Sequence, residues 1–149
     1  MEFEEIINKQ PLGSIEGLFL TFCFKNNNTS EAAFRCINKR LGKFELSKDY
    51  LDSTFSIHQL AKNLNTNTSY LSSVINEKKG KTYKQYIAEL RMNYLLNLIN
   101  KEPKYRKYTI EALGNKIGYT NASSFSRSFK NFTRLSPSEY LNSLNNDVT

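Results

Sequence analysis

The chain has 149 residues, enough for one domain or for two small ones that share a core. Hydrophobic residues make up 39% of it, with ten Phe and nine Tyr, which excludes wholesale disorder. The formal net charge of +7 is segregated: residues 1–50 hold seven Lys/Arg and seven Asp/Glu, whereas residues 51–149 hold fourteen against seven, as suits a unit that binds a polyanion.

Residues 1–54 read as a lead-in, partly helical, that packs on the first helical unit after it. Glu2, Glu4 and Glu5 stand where a secretory signal would carry positive charge, so no signal peptide is expected. The longest apolar stretch, residues 18–24, is seven residues long against the ~20 that span a bilayer; periodicity leaves it open as strand or helix. Ser30 and Glu31 open a helix in which Ala33, Phe34, Ile37 and Leu41 share a side, and Gly42 is expected to end it. Phe44, Leu46, Tyr50 and Leu51 continue the apolar pattern to a break at Asp52, Ser53 and Thr54.

From residue 56 the signals sharpen. Ser56 with Gln59 is a capping box for a helix whose inward side is Ile57, Leu60, Ala61 and Leu64, with His58 facing out. Asn65, Thr66 and Asn67 form a turn. A second helix over 68–77 turns Leu71, Val74 and Ile75 inward and Ser69, Tyr70, Ser72, Ser73 and Asn76 outward, and Gly80 suits its C-cap. Thr82 with Gln85 then starts the longest helix, 82–100, which Glu102 and Pro103 end. At ~1.5 Å per residue it is about 28 Å long, close to the ~34 Å between successive major-groove faces of B-DNA. The basic, aromatic segment 104–108 is expected to be a loop, facing phosphate or merely solvent.

The chain then repeats itself. At an offset of 53, Ser56-Ile57 falls on Thr109-Ile110, Leu60 on Leu113 and Leu64 on Ile117. One extra residue in the second turn makes the offset 54, which sets Asn67 on Asn121, Leu71 on Phe125, Ile75 on Phe129, Thr82 on Ser136 and Tyr86 on Tyr140. Each copy is a helix, a turn, a capped helix and the start of another, which is the pattern of a helix-turn-helix. In the second copy Phe125, Phe129 and Phe132 predict one buried stripe, opposite Ser123, Ser126, Arg127 and Lys130. Ser136-Pro137-Ser138-Glu139 offers an N-cap, a proline at the first helical position and the capping-box acid.

With both copies in view, residues 55–144 resemble the DNA-binding domain of the AraC/XylS family of bacterial transcription regulators. The most specific part runs from Ile117-Gly118-Tyr119 through Phe125-Ser126-Arg127-Ser128-Phe129-Lys130 to Ser136-Pro137. The resemblance implies an all-α, homeodomain-like fold: helix-turn-helix subdomains at 55–81 and 109–144, a linker helix at 82–100, and a tail, 145–149, that frays. It implies sequence-specific double-stranded DNA binding in transcription regulation, with the two second helices in adjacent major grooves. Ser69, Ser72 and Ser73 then stand where the first unit reads bases, and Ala122, Ser123, Ser126 and Arg127 where the second does. Thr66, Thr82, Thr120 and Lys130 stand where phosphates are held. Double-stranded DNA and RNA polymerase are the partners implied, in the cytoplasm, without a cofactor or membrane insertion. Two positions depart from the family pattern. Arg134 replaces a glycine, which suggests that the helix ends differently, and Gly114 replaces an alanine, which suggests a small packing deficit.

Two other classes compete. An enzyme needs clustered acids and bases or an activated nucleophile, and the chain has one His and no Gly-rich phosphate loop. Cys23 and Cys36 are not at metal-binding spacing, so no metal site is expected; two buried thiols in a reducing compartment is the simpler reading. A helical protein-protein interaction module without specific DNA binding would tolerate the serine-rich outward faces, but it has no need for the segregated charge.

Overall fold

The computed structural model describes residues 30–147, and among them the secondary structure is entirely helical. Seven α-helices succeed one another: α1 (Ser30–Ser47), α2 (Ile57–Asn63), α3 (Thr68–Lys79), α4 (Tyr83–Lys101), α5 (Ile110–Lys116), α6 (Ala122–Thr133) and α7 (Pro137–Asn146). Short 3-10 turns lie at Asp49–Leu51 and Pro103–Lys107. The second turn occupies the segment expected to be a loop; Pro103 starts it, since its fixed φ suits a first helical position and it has no N–H to leave unpaired.

The helices begin where the sequence offers a side-chain acceptor. Ser56 with Gln59, Thr82 with Gln85 and Ser136 with Glu139 form reciprocal capping boxes. Asn67, Thr109 and Asn121 each accept from amides of the first turn. Each such cap stabilises its helix by about 1 kcal/mol.

Gly42 does not end α1, which continues to Ser47. A mid-helix glycine costs about 1 kcal/mol. Burial of Ile37, Leu41 and Phe44 on one side of α1, at about 1.5–3 kcal/mol each, outweighs it. Leu46, placed by the sequence in that apolar pattern, is instead 82% exposed.

The central helix α4 belongs to two cores. Tyr86 and Ile87 join Leu60, Leu71, Val74 and Ile75 of the first unit, against which α1 also packs. Met92, Leu95 and Ile99 join Leu113, Phe125 and Phe129 of the second. A helix of 19 residues thus carries one unit on each half. Among the described residues no polar or charged residue is buried as a whole, so both cores are built from aliphatic and aromatic side chains. Cys36 is half-buried on α1 against the first core, not fully buried; Cys23 and the stretch 18–24 lie outside the described residues.

In the second unit the structure departs from three further expectations. Gly114 leaves no deficit, because a Cβ there would lie 3.0 Å from Cγ of Phe125, and its absence lets α6 close on α5. Phe132 is 40% exposed and is not part of the second core: it sits in the last turn of α6, beyond the Phe129–Tyr140 ring contact that closes the core. Arg134 ends α6 in the left-handed conformation, φ 70 and ψ 0, just as Gly80 ends α3 at φ 64 and ψ 27. The same geometry is therefore adopted without glycine, at a backbone cost of about 1–2 kcal/mol.

Candidate nucleic-acid interface

In the first unit, α3 is started by Asn67, whose Oδ1 accepts from the Tyr70 amide at 2.8 Å. Leu71, Val74 and Ile75 are buried, and the helical period therefore leaves Ser69, Ser72 and Ser73 exposed. Ser73 Oγ donates to the Ser69 carbonyl at 3.1 Å, so its proton is engaged and it offers lone pairs outward. The lysines at the end of α3 are tied back. Lys78 lies over the Phe34 ring at 4.8 Å, Lys79 pairs with Glu45 at 3.0 Å, and Lys81 pairs with Glu89.

In the second unit, Asn121 Oδ1 accepts from the amides of both Ser123 and Ser124, at 2.8 and 3.1 Å. Phe125 and Phe129 are buried in a row of tilted and edge-on ring contacts with Tyr119 and Tyr140. Ala122, Ser123, Arg127 and Lys130 are exposed, and Ser126 is half-buried. Arg127 forms no ion pair with Glu111 or any other acid among the described residues, which leaves its planar fork open. Its five donors in fixed geometry suit a bidentate acceptor.

The backbone-facing candidates differ among themselves. Thr82 is exposed; its Oγ1 accepts from Gln85 N at 3.3 Å and keeps its own proton to donate. Thr120 is exposed immediately before the α6 cap. Thr66 is turned the other way. Its N–H donates to the Ala61 carbonyl at 2.9 Å, and its Oγ1 is buried without a hydrogen-bond partner, so in this rotamer it presents no donor outward.

Sequence reasoning overlooked Arg91. From the middle of α4 its Nε donates to the Tyr50 carbonyl at 2.7 Å and its Nη2 to the Asp52 carbonyl at 2.9 Å. Its guanidinium also lies 5.5 Å from the centre of the Tyr119 ring. Burial lowers its pKa from the ordinary value, yet a guanidinium stays charged. Nothing in the sequence signals these contacts, because the acceptors are main-chain carbonyls. Among the described residues no three His, Cys, Asp or Glu side chains are grouped to hold a metal. Nor is any described helix long and apolar enough to cross a membrane.

Two three-helix units, each with an Asn-capped second helix of twelve residues that is apolar inward and polar outward, share one continuous linker helix. That arrangement defines a double helix-turn-helix domain. The helix-turn-helix domain family model matches residues 60–143, and the chain belongs to this family. Among curated proteins the chain is 28% identical over 95 residues to the Msm operon regulatory protein of Streptococcus mutans, an alignment covering 64% of this chain and 33% of that one. It is 30% identical over 98 residues to YobQ, an uncharacterised helix-turn-helix transcriptional regulator of Bacillus subtilis, covering 66% of this chain and 39% of that one. The match therefore spans little more than a third of these relatives' own length. Among solved structures, the C-terminal domain of AraT, a response regulator from Geobacillus stearothermophilus, superposes with a TM-score of 0.62 at 23% identity, over 72% of this chain and 84% of that one. An AraC-type regulator from Chromobacterium violaceum gives a TM-score of 0.57 at 17% identity, over 74% and 92%. At these identities the likeness establishes the fold.

Proposed function

We propose that this chain binds specific double-stranded DNA as part of a transcription regulator, with α3 and α6 as reading helices in successive major grooves on one side of the duplex. The observation that carries this reading is the duplication itself. Both helices have twelve residues, an asparagine cap, a left-handed terminus, a buried apolar side and an exposed side of hydrogen-bonding groups. The linker, about 28 Å long by rise per residue, suits reading heads roughly one DNA turn apart.

Arg127 is the base reader with the most directional chemistry, since its fork matches O6 and N7 of guanine. Ser123 and Ser126 lie beside it, and Ala122 gives an apolar contact suited to a thymine methyl. Ser69, Ser72 and Ser73 read the first half-site, with Ser73 as an acceptor. Thr82, Thr120 and Lys130 hold phosphates; Thr66 joins them only after its hydroxyl rotates outward. The excess positive charge supplies the sequence-independent part of the affinity.

Selection of bound sites from random duplex DNA tests the reading. The expected outcome is one enriched site with two unlike halves about 10 base pairs apart, because the two outward faces differ (Ser73 against Arg127). Failure to enrich any sequence, with binding insensitive to salt, would place the chain with protein-binding helical modules instead.

A further inference from the structure

We infer that Arg91 is a positioning residue that clamps the two reading helices in one relative orientation, using the segment Asp49–Asp52 as a strap across the join. The inference rests on the two-groove reading and goes beyond it by naming what holds the two units in register.

The main packing partners of α2 and α3 are each other, α1 and α4, whereas α5 and α6 pack on each other, α4 and α7. The units therefore communicate through α4 and through whatever lies alongside it. The strap is that second connection. Tyr50 is buried in the first core, and Leu51 packs against both cores at once. The strap's backbone also runs directly over the turn that precedes α6. A Cβ at Gly118, where φ is +89, would lie 2.6 Å from the Leu51 carbonyl oxygen and 3.0 Å from Nη2 of Arg91. Only glycine gives both the conformation and the clearance there.

Arg91 locks this crossing. It springs from α4 between Ile87, which is in the first core, and Met92, which is in the second. Its two donors take the carbonyls on either side of Leu51, at 2.7 and 2.9 Å, and its guanidinium lies 5.5 Å from the centre of the Tyr119 ring, in the turn before α6. One side chain thus joins the linker helix, the strap beyond α1, and the second unit. A planar fork with two bonds fixes rotation as well as distance, which a single point donor does not. Without it, α4 still sets the separation of the units, but twist about α4 is opposed only by side-chain packing.

Half-site spacing is the readout, because each inserted base pair turns the second half-site by about 34° around the duplex. Duplexes carrying the site selected by the native chain, with none, one or two base pairs inserted between its halves, are titrated with native protein, Arg91→Met and Arg91→Lys. A duplex carrying either half-site alone is titrated in parallel. The native chain is expected to lose about tenfold in affinity per inserted base pair, a figure of the size of one base mismatch. Arg91→Met is expected to lose less than about threefold on the same insertions while its half-site affinity stays unchanged. Arg91→Lys falls between them, keeping the charge but not the planar fork. An Arg91→Met protein that keeps the native discrimination, or that weakens half-site and full-site binding in equal proportion, overturns the clamp. If Arg91→Met shows no cooperative melting, the same comparison on Arg91→Lys decides. A native chain that tolerates every spacing removes the two-groove reading, and the clamp with it, and that failure is distinct from a variant that behaves like the native chain.

Discussion

Replacing Gly114 with alanine sets two opposing effects against each other at one position. Alanine is favoured over glycine inside a helix by about 0.8–1 kcal/mol. Against this, the new methyl would meet Cγ, Cβ and Cδ1 of Phe125 at 3.0, 3.1 and 3.2 Å, a few tenths of an ångström inside ordinary contact. Phe125 has little room to retreat, being fully buried with its ring held at 5.7 Å from both Tyr119 and Phe129. Overpacking of this kind costs about 1–3 kcal/mol, so the net effect of Gly114→Ala is a loss of about 1 kcal/mol. Gly42→Ala is the matched control: it is helical and exposed, and its Cβ would meet nothing within 4 Å. It should gain the propensity effect alone, about 0.8 kcal/mol. Urea unfolding of the two variants reads the difference as midpoints shifted in opposite directions at constant slope. If Gly114→Ala stabilises as much as Gly42→Ala, the α5–α6 contact has slack and glycine is not required there.

Other substitutions test the remaining contacts. Tyr86 and Tyr83 lie one helical turn apart on α4; the Tyr86 hydroxyl donates to Glu45 at 2.8 Å, while that of Tyr83 is buried without a partner and pushed by burial up to about 12. Tyr86→Phe should cost about 1–2 kcal/mol and Tyr83→Phe should gain about 1 kcal/mol; equal effects in thermal melts would contradict both assignments. Arg134→Gly should stabilise by about 0.5 kcal/mol, since relief of the left-handed conformation exceeds the added freedom of the unfolded chain, whereas Gly80→Arg should destabilise by a similar amount in the same urea assay. Arg127→Ala should cost about 1–3 kcal/mol of discrimination at one base pair with the salt slope nearly unchanged. Lys130→Ala should weaken all sequences alike and lower that slope by about one; a uniform loss in Arg127→Ala would make Arg127 a backbone anchor and leave base reading to Ser123 and Ser126.

What could be read in the sequence was whatever depends on neighbours three or four residues away. Ser56 with Gln59, Thr82 with Gln85 and Ser136 with Glu139 announce their helices because cap and partner lie within one turn. The outward set of α3 came from the burial of Leu71, Val74 and Ile75, since the helical period fixes the opposite side. What escaped depends on contacts distant in the chain. Gly114 reads as a defect until Phe125 is seen against it. Phe132 keeps the period of the buried stripe, but periodicity does not say where the core stops. Thr66 sits in a turn whose sequence gives no hint that its hydroxyl points inward. Arg91 is a lone charge on a helix, and its acceptors, 41 and 39 residues away, are carbonyls that every residue possesses.

The most direct test of the two-groove reading is a hydroxyl-radical footprint of the native chain on its selected duplex. Two protected patches on one face of the DNA, centred about 10 base pairs apart, are predicted, with the patch assigned to the second unit moving together with the guanine read by Arg127. A single protected patch confined to about half a helical turn would contradict it, because a chain with two reading helices on one linker would then be using only one of them.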